Sequence, residues 1–471
     1  MYVSCRPFYD LLQYQGDESM KGTKYQTTEE VLHHAQEAIG KPLKEIDQTG
    51  RLATGKGSVG TVIEESWFGY QPNSESEPDF PEAGVELKVF PFIIGRKGLR
   101  AKERLVCNII DYMEEYKRSF PESSFWHKCQ TMLLMPYEYQ KGLPKGEYEI
   151  KAAVLFQFPE EDLIIIEQDW AKIIQKIRTG KAHEISEGDT LYLAACTKGA
   201  NAQSIRPQPF SRIPAKQRAY SLKQSYMTQV LNKYIFGYEV DPKIITDWHQ
   251  LAHSTFEDYI IEKIRPYYGM TQNQLKLRFG ITSNAKNINE VILARMLDIV
   301  GRISQTEEFK KAGIVPKTIR VRQNGTIKES MSFPHFDFIE LSQENVWEDS
   351  DLYKYLAYTK FMFVIFQENM TGEYVFSKIV FWNIPSQDLE EVRTVWARTV
   401  QTIRNGVQLV PTARGIRNNL PKQSENRVAH VRPHAQTVYD TLPLPDGRQM
   451  PKQCFWLNNT YIQEQLEKYG R

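Results

Sequence analysis

Apolar positions along this chain follow helical spacing in some stretches and strand spacing in others. Val31, Leu32, Ala35, Ala38 and Ile39 fall on one helical face; Thr27 or Thr28 can cap that helix, and Gly40 and Pro42 can stop it. A second helix is predicted after Ser58. Strands are predicted over 85–92, 131–135 and 152–158, then a long helix around Trp170. The order then returns: a helix over 255–264 stopped by Pro266, a helix over 288–300, strands over 362–366 and 376–382, and a helix around Trp396. Helices alternating with a few strands predict an α/β fold with a central mixed sheet flanked by helices.

The recurrence extends to residues. The segment from Trp170 to Gly180 and that from Trp396 to Gly406 share Trp, Ala, Gln, Ile, Arg and Gly in register, 226 residues apart. Gly84 matches Gly313, and Lys223-Gln-Ser-Tyr226 matches Lys452-Gln-Cys-Phe455, both 229 apart. A period this long predicts a domain duplication rather than a solenoid. The expected domains are residues 1–240 and 245–471.

Charge and composition narrow the class. A net charge of +1 excludes a polycation that coats nucleic acid, so any contact with DNA must come from local clusters. One cluster is plain: no Asp or Glu occurs from Cys196 to Phe236, where Lys198, Arg206, Arg212, Lys216, Arg218, Lys223 and Lys233 alternate with aromatic residues. A second run, Arg414, Arg417, Lys422, Arg427 and Arg432, is opposed only by Glu425. Such runs suit phosphates, though one alone reads equally well as a solvated face. Scattered cysteines without ligand spacing, no long apolar span and no signal pattern predict a reduced cytoplasmic protein away from membranes.

The candidate chemistry lies in Pro78-Asp79 and Gly84-Val85-Glu86-Leu87-Lys88. In a strand, Val85 and Leu87 point to one side, and Glu86 and Lys88 together to the other. Asp79, just upstream, can reach Glu86. Two converging carboxylates can hold a hard cation such as Mg²⁺, and a lysine beside them can orient a water or stabilise charge on a phosphate. The spacing alone is weak, since Glu115/Lys117, Glu149/Lys151 and Glu308/Lys310 repeat it, and an exposed strand pair fits it too.

Beyond these motifs, the chain resembles a known family. The matching residues are Lys56-Gly57-Ser58-Val59-Gly60, Trp67-Phe68-Gly69, Pro78-Asp79, Ala83 to Lys88, Thr197 to Ala202, Lys216 to Ala219 and Trp456 to Asn459. The first half resembles the MutH-type nicking endonucleases of mismatch repair. The whole chain resembles the Sau-three-A-type restriction enzymes, which carry two MutH-like domains and recognise GATC. The resemblance implies a tandem MutH-like restriction-endonuclease fold and Mg²⁺-dependent double-strand cleavage of DNA at GATC. It implies Asp79, Glu86 and the Leu87 carbonyl as metal ligands and Lys88 as the catalytic lysine. Glu65 or Glu64 would assist, and Lys128 would lie near the scissile phosphate. Lys56, Gly57 and Lys198 fall in the family's DNA-contacting loops. Arg218, Lys223, Tyr226, Arg432, His434 and Lys452 are further expected DNA contacts. Cys196 stands where the MutH type has a base-reading arginine.

In the second half the repeat offset puts Glu308 at Asp79, Val315 at Glu86, Pro316 at Leu87 and Lys317 at Lys88. Valine cannot ligate magnesium, yet Arg432-Pro433-His434 resembles the MutH-type reading loop. The resemblance implies a DNA-binding effector domain that has lost the chemistry. It also implies a monomer that dimerises on DNA, and a cognate methyltransferase. A mismatch-repair nickase and a non-enzymatic DNA-binding protein are the competing readings.

Overall fold

Two helices of nineteen residues each, Glu160–Arg178 and Ser386–Arg404, anchor the fold. Each follows a proline and buries one stripe: Ile166, Trp170, Ile173 and Ile177 in the first, Val392, Trp396, Val400 and Ile403 in the second. The computed structural model describes residues 25–53, 58–70, 77–95, 98–199, 204–238, 241–283, 285, 287–412, 415–437 and 439–469.

The same contacts surround both helices. Arg178 donates to the carbonyls of Tyr116 and Arg118 at 2.8 and 3.0 Å; Arg404 donates to those of Ser342 and Glu344, both at 2.7 Å. The Trp170 indole N–H reaches Glu115, and that of Trp396 reaches Glu344. The Tyr226 hydroxyl donates to Asp162 at 3.0 Å, and the Tyr461 hydroxyl to Asp388 at 2.8 Å.

Each helix is accompanied by a three-stranded antiparallel sheet. The first has Arg218–Leu222 at its centre, between Leu105–Ile109 and Leu193–Thr197. The second has Gln453–Leu457 at its centre, between Met331–His335 and Ala429–Pro433. A helix follows each central strand, Gln224–Val230 and Asn459–Tyr469. This order corrects one sequence match. Lys223 follows its strand and caps the next helix, whereas Lys452 precedes its strand. Element by element, the partner of Lys223 is Asn458, and that of Tyr226 is Tyr461.

The chain divides into two compact units, residues 1–89 with 131–155 and residues 90–130 with 156–471. This division follows packing, whereas the expected domains follow the sequence repeat. The first unit packs Val31, Ala35, Val62, Phe68, Phe80, Val85, Leu87, Leu133 and Ile150 into one core. Its first helix, Thr28–Gln36, carries a capping box between Thr27 and Glu30. The second unit includes the parallel pair Ile314–Val321 and Lys360–Glu368, which Tyr374–Trp382 extends antiparallel. Within it, buried Lys311 pairs with Asp162 and Glu307, both at 2.6 Å, tying the two sequence halves together. Among the described residues no helix is long and apolar enough to cross a membrane.

Candidate active site

Phe80 and Val85 exchange two backbone hydrogen bonds, at 2.9 and 3.2 Å, across a tight turn. Gly84 closes that turn at φ 65°, a conformation that penalises side chains. Phe80 and Val85 are buried, and the rings of Tyr25, Phe68 and Tyr70 pack around Phe80. The turn is therefore held by the core of the first unit, and it sets Asp79 opposite the start of strand Glu86–Gly95.

Three hydrogen bonds result. The Asp79 N–H donates to Glu86 Oε2 at 3.2 Å, the Leu87 N–H to Asp79 Oδ2 at 2.9 Å, and Lys88 Nζ to Glu86 Oε1 at 2.5 Å. Glu86 is 1% exposed, and the Asp79 N–H and the Lys88 ammonium offset part of the cost of burying it. Asp79, Glu86, Leu87 and Lys88 thus come together as the sequence suggests. The two carboxylates are oxygen donors of the hardness Mg²⁺ prefers. Among the described residues no group of three or more His, Cys, Asp or Glu side chains gathers as a metal site.

The assisting residues are placed less uniformly. Glu65 lies on the π-helical turn Ile63–Trp67 with its carboxylate paired to Arg51 at 2.5 Å; Glu64 is half-buried on the same turn. Lys128 is half-buried in helix Ser124–Cys129 of the second unit.

Three expected DNA contacts are corrected. Arg218 is buried and donates to the carbonyls of Ala195 (2.6 Å) and Ile185. Lys223 is buried and donates to the Thr190 carbonyl, and burial pushes its ammonium down to about 8. Tyr226 is fully buried on Asp162. A phosphate cannot reach these groups; they complete the core. Lys198, Arg432 and His434 are exposed, while Lys452 is half-buried and paired with Asp440 at 2.5 Å. Lys56 and Gly57 lie outside the described residues. Besides Lys198, the basic run exposes the hairpin Ile205–Gln208 and Ser211–Lys216, which presents Arg206, Arg212 and Lys216. The absence of acidic residues was the signal for it.

The second half lacks the carboxylate pair. Val315 packs against the core, and Lys317 Nζ donates to the Ser332 carbonyl at 3.0 Å, with burial pushing its ammonium below the usual range. The Glu308 carboxylate is occupied in the backbone N–H groups of Ile244 and Ile245, at 3.0 and 2.9 Å.

Comparison with known proteins gives the family. The family model "DNA mismatch repair enzyme MutH" matches residues 68–169, which include Asp79, Glu86 and Lys88. The type II restriction enzyme Sau3AI of Staphylococcus aureus is 40% identical over 94% of this chain and 99% of its own length. The chain belongs to the Sau3AI-like type II restriction enzymes. This restriction enzyme is therefore a site-specific deoxyribonuclease with DNA as its substrate. Its MutH-like part is similar to mismatch repair MutH of Shewanella woodyi, 28% identical over 44% of this chain and 92% of that protein. MutH of Shewanella baltica strain OS195 is 31% identical over 40% of this chain and 82% of its own length.

Proposed function

We propose that the enzyme cuts both strands of DNA at GATC in a Mg²⁺-dependent reaction, with one active half and one effector half. The observation that carries the reading is the turn that sets Asp79 against Glu86, with Lys88 on Glu86. Asp79, Glu86 and the Leu87 carbonyl would hold Mg²⁺, which when bound supplies Lewis-acid polarisation of the scissile phosphate. Lys88 orients the attacking water and stabilises negative charge gathering on the phosphate. Burial of Glu86 lowers the local dielectric and strengthens both effects. The GATC target follows from the family resemblance of the whole chain.

The recurring contacts around the two long helices support a duplication. Val315 and Pro316 at the metal-ligand positions support a second half that binds DNA without cutting it. One active site per chain must make two strand cuts, so the enzyme dimerises on DNA, and a methyltransferase protects the host's own sites.

Incubating the pure chain with unmodified plasmid and Mg²⁺ tests the reading. Discrete double-strand fragments ending at GATC support it. Nicked circles favour a nickase, and shifted but intact DNA a binding protein.

A further inference from the structure

The two three-stranded sheets can be compared position by position, because the outer strand meets the central one in matching register. Ala194 pairs with Ser221 and Cys196 with Ala219 in the first; His430 pairs with Trp456 and Arg432 with Cys454 in the second. Directly paired residues, and residues two apart on a strand, share a face. Where the first half buries Ala194, Cys196 and Ser221, the second half carries an imidazole, a guanidinium and an indole. Three neighbouring positions differ together, and they build an arrangement that the first sheet does not have.

Its geometry is specific. The Arg432 guanidinium lies over the Trp456 ring, 4.5 Å from its centroid, and the indole N–H donates to the Arg432 carbonyl at 3.3 Å. The His434 ring meets Trp456 edge-on at 5.6 Å. Buried His430 stacks near-parallel to the indole at 6.3 Å and is fixed by Asn458 at 2.6 Å. Arg432 is exposed, and no carboxylate pairs with it among the described residues. An exposed arginine ordinarily samples many rotamers. A ring beneath the guanidinium removes much of that freedom.

We propose that Trp456 is a positioning residue for DNA recognition by the second half, holding Arg432 flat and oriented so that its guanidinium meets a guanine edge ready to bind. This rests on the reading of the second half as an effector domain. An arginine pairs bidentately with guanine O6 and N7 in the major groove, and ordering it beforehand lowers the entropy cost of that contact.

The test uses the full-length enzyme and a plasmid with one GATC site. Cleavage is measured against increasing amounts of a short GATC duplex, normal or with 7-deazaguanine, which lacks N7. Wild type should respond at a concentration of normal duplex lower by on the order of tenfold. That preference should fall towards one in both Arg432→Ala and Trp456→Leu, and no further in the double variant. Trp456→Phe keeps a ring face and should retain most of it. Because the preference is a ratio within each variant, a modest loss of stability in Trp456→Leu leaves it readable. If Trp456→Leu does not fold, loss of the preference in Trp456→Phe overturns the proposal and its retention supports the ring-face role. Wild-type discrimination in Trp456→Leu, or full additivity with Arg432→Ala, overturns the proposal. Undiminished discrimination in Arg432→Ala also overturns it, because Arg432 then does not read the guanine, whereas no response of wild type to either duplex rejects instead the effector reading on which it rests.

Discussion

At the scale of single residues, position in the backbone distinguishes groups of the same chemical type. Glu86 and Glu308 are both buried carboxylates. Glu86 faces Lys88 and Asp79, whereas Glu308 is consumed by two backbone N–H groups. Asp79→Ala and Glu86→Ala should each lower cleavage by orders of magnitude while DNA binding in Ca²⁺ persists. Rates and gel shifts on one preparation measure both, and near wild-type cutting would refute the assigned site. Tyr226→Phe removes a buried hydroxyl from Asp162 and should cost about 1 kcal/mol of stability. Denaturant unfolding reads that loss, and DNA affinity should stay unchanged; a selective loss of affinity would restore Tyr226 as a DNA contact.

At the scale of elements, the turn between Phe80 and Val85 is the device that brings Asp79 to Glu86. Nothing lies within 4 Å of a Cβ placed on Gly84, so its restriction is conformational rather than steric. Gly84→Ala should cost about 1–2 kcal/mol through its positive φ and displace Asp79 from Leu87. Turnover should drop well beyond the loss of stability, and Gly84→Asn, which tolerates that φ better, should recover part of it. Equal rates in all three proteins would show that the turn does not set the geometry. Lys317→Ala should leave cleavage nearly intact, because Val315 has replaced the carboxylate beside it; a large loss with folding preserved would mean the second half takes part in chemistry.

At the scale of the whole molecule, packing and repeat divide the chain differently. Residues 156–238 belong to the first half in sequence but pack with the second, through the buried pairing of Lys311 with Asp162 and Glu307. Removing one partner leaves buried charge uncompensated, so Lys311→Ala should destabilise the enzyme by roughly 3–5 kcal/mol. Effector binding should act over the same scale. Coupling free energies of about 1–3 kcal/mol correspond to rate ratios of roughly 5 to 150. A plasmid with two GATC sites should therefore be cut faster than one with a single site, at equal site concentration. Arg432→Ala should bring the two rates together. A wild-type ratio of one would leave the second half as a scaffold.

The sequence by itself marked the two long helices and their repeat, and the strand that carries Glu86 and Lys88, because these depend on periodicity; it did not show the two three-stranded sheets, and Asp79, Glu86 and Lys88 stood out from other Glu/Lys pairs only through the family resemblance. Trp170 and Trp396 mark equivalent helices, and Val85 and Leu87 mark a strand without any knowledge of what packs on them. Burial depends on distant partners, and only the tertiary structure decided it. Arg218, Lys223 and Tyr226 belong to a basic, aromatic run that reads as a DNA surface, yet the sheet and the helix after it fold them inward onto carbonyls and Asp162. Arg432 and Trp456 are 24 residues apart and meet only because two antiparallel strands set them on one face. Local pattern fixes which way a side chain leaves its own strand; what lies on that side is settled by segments that the pattern does not contain.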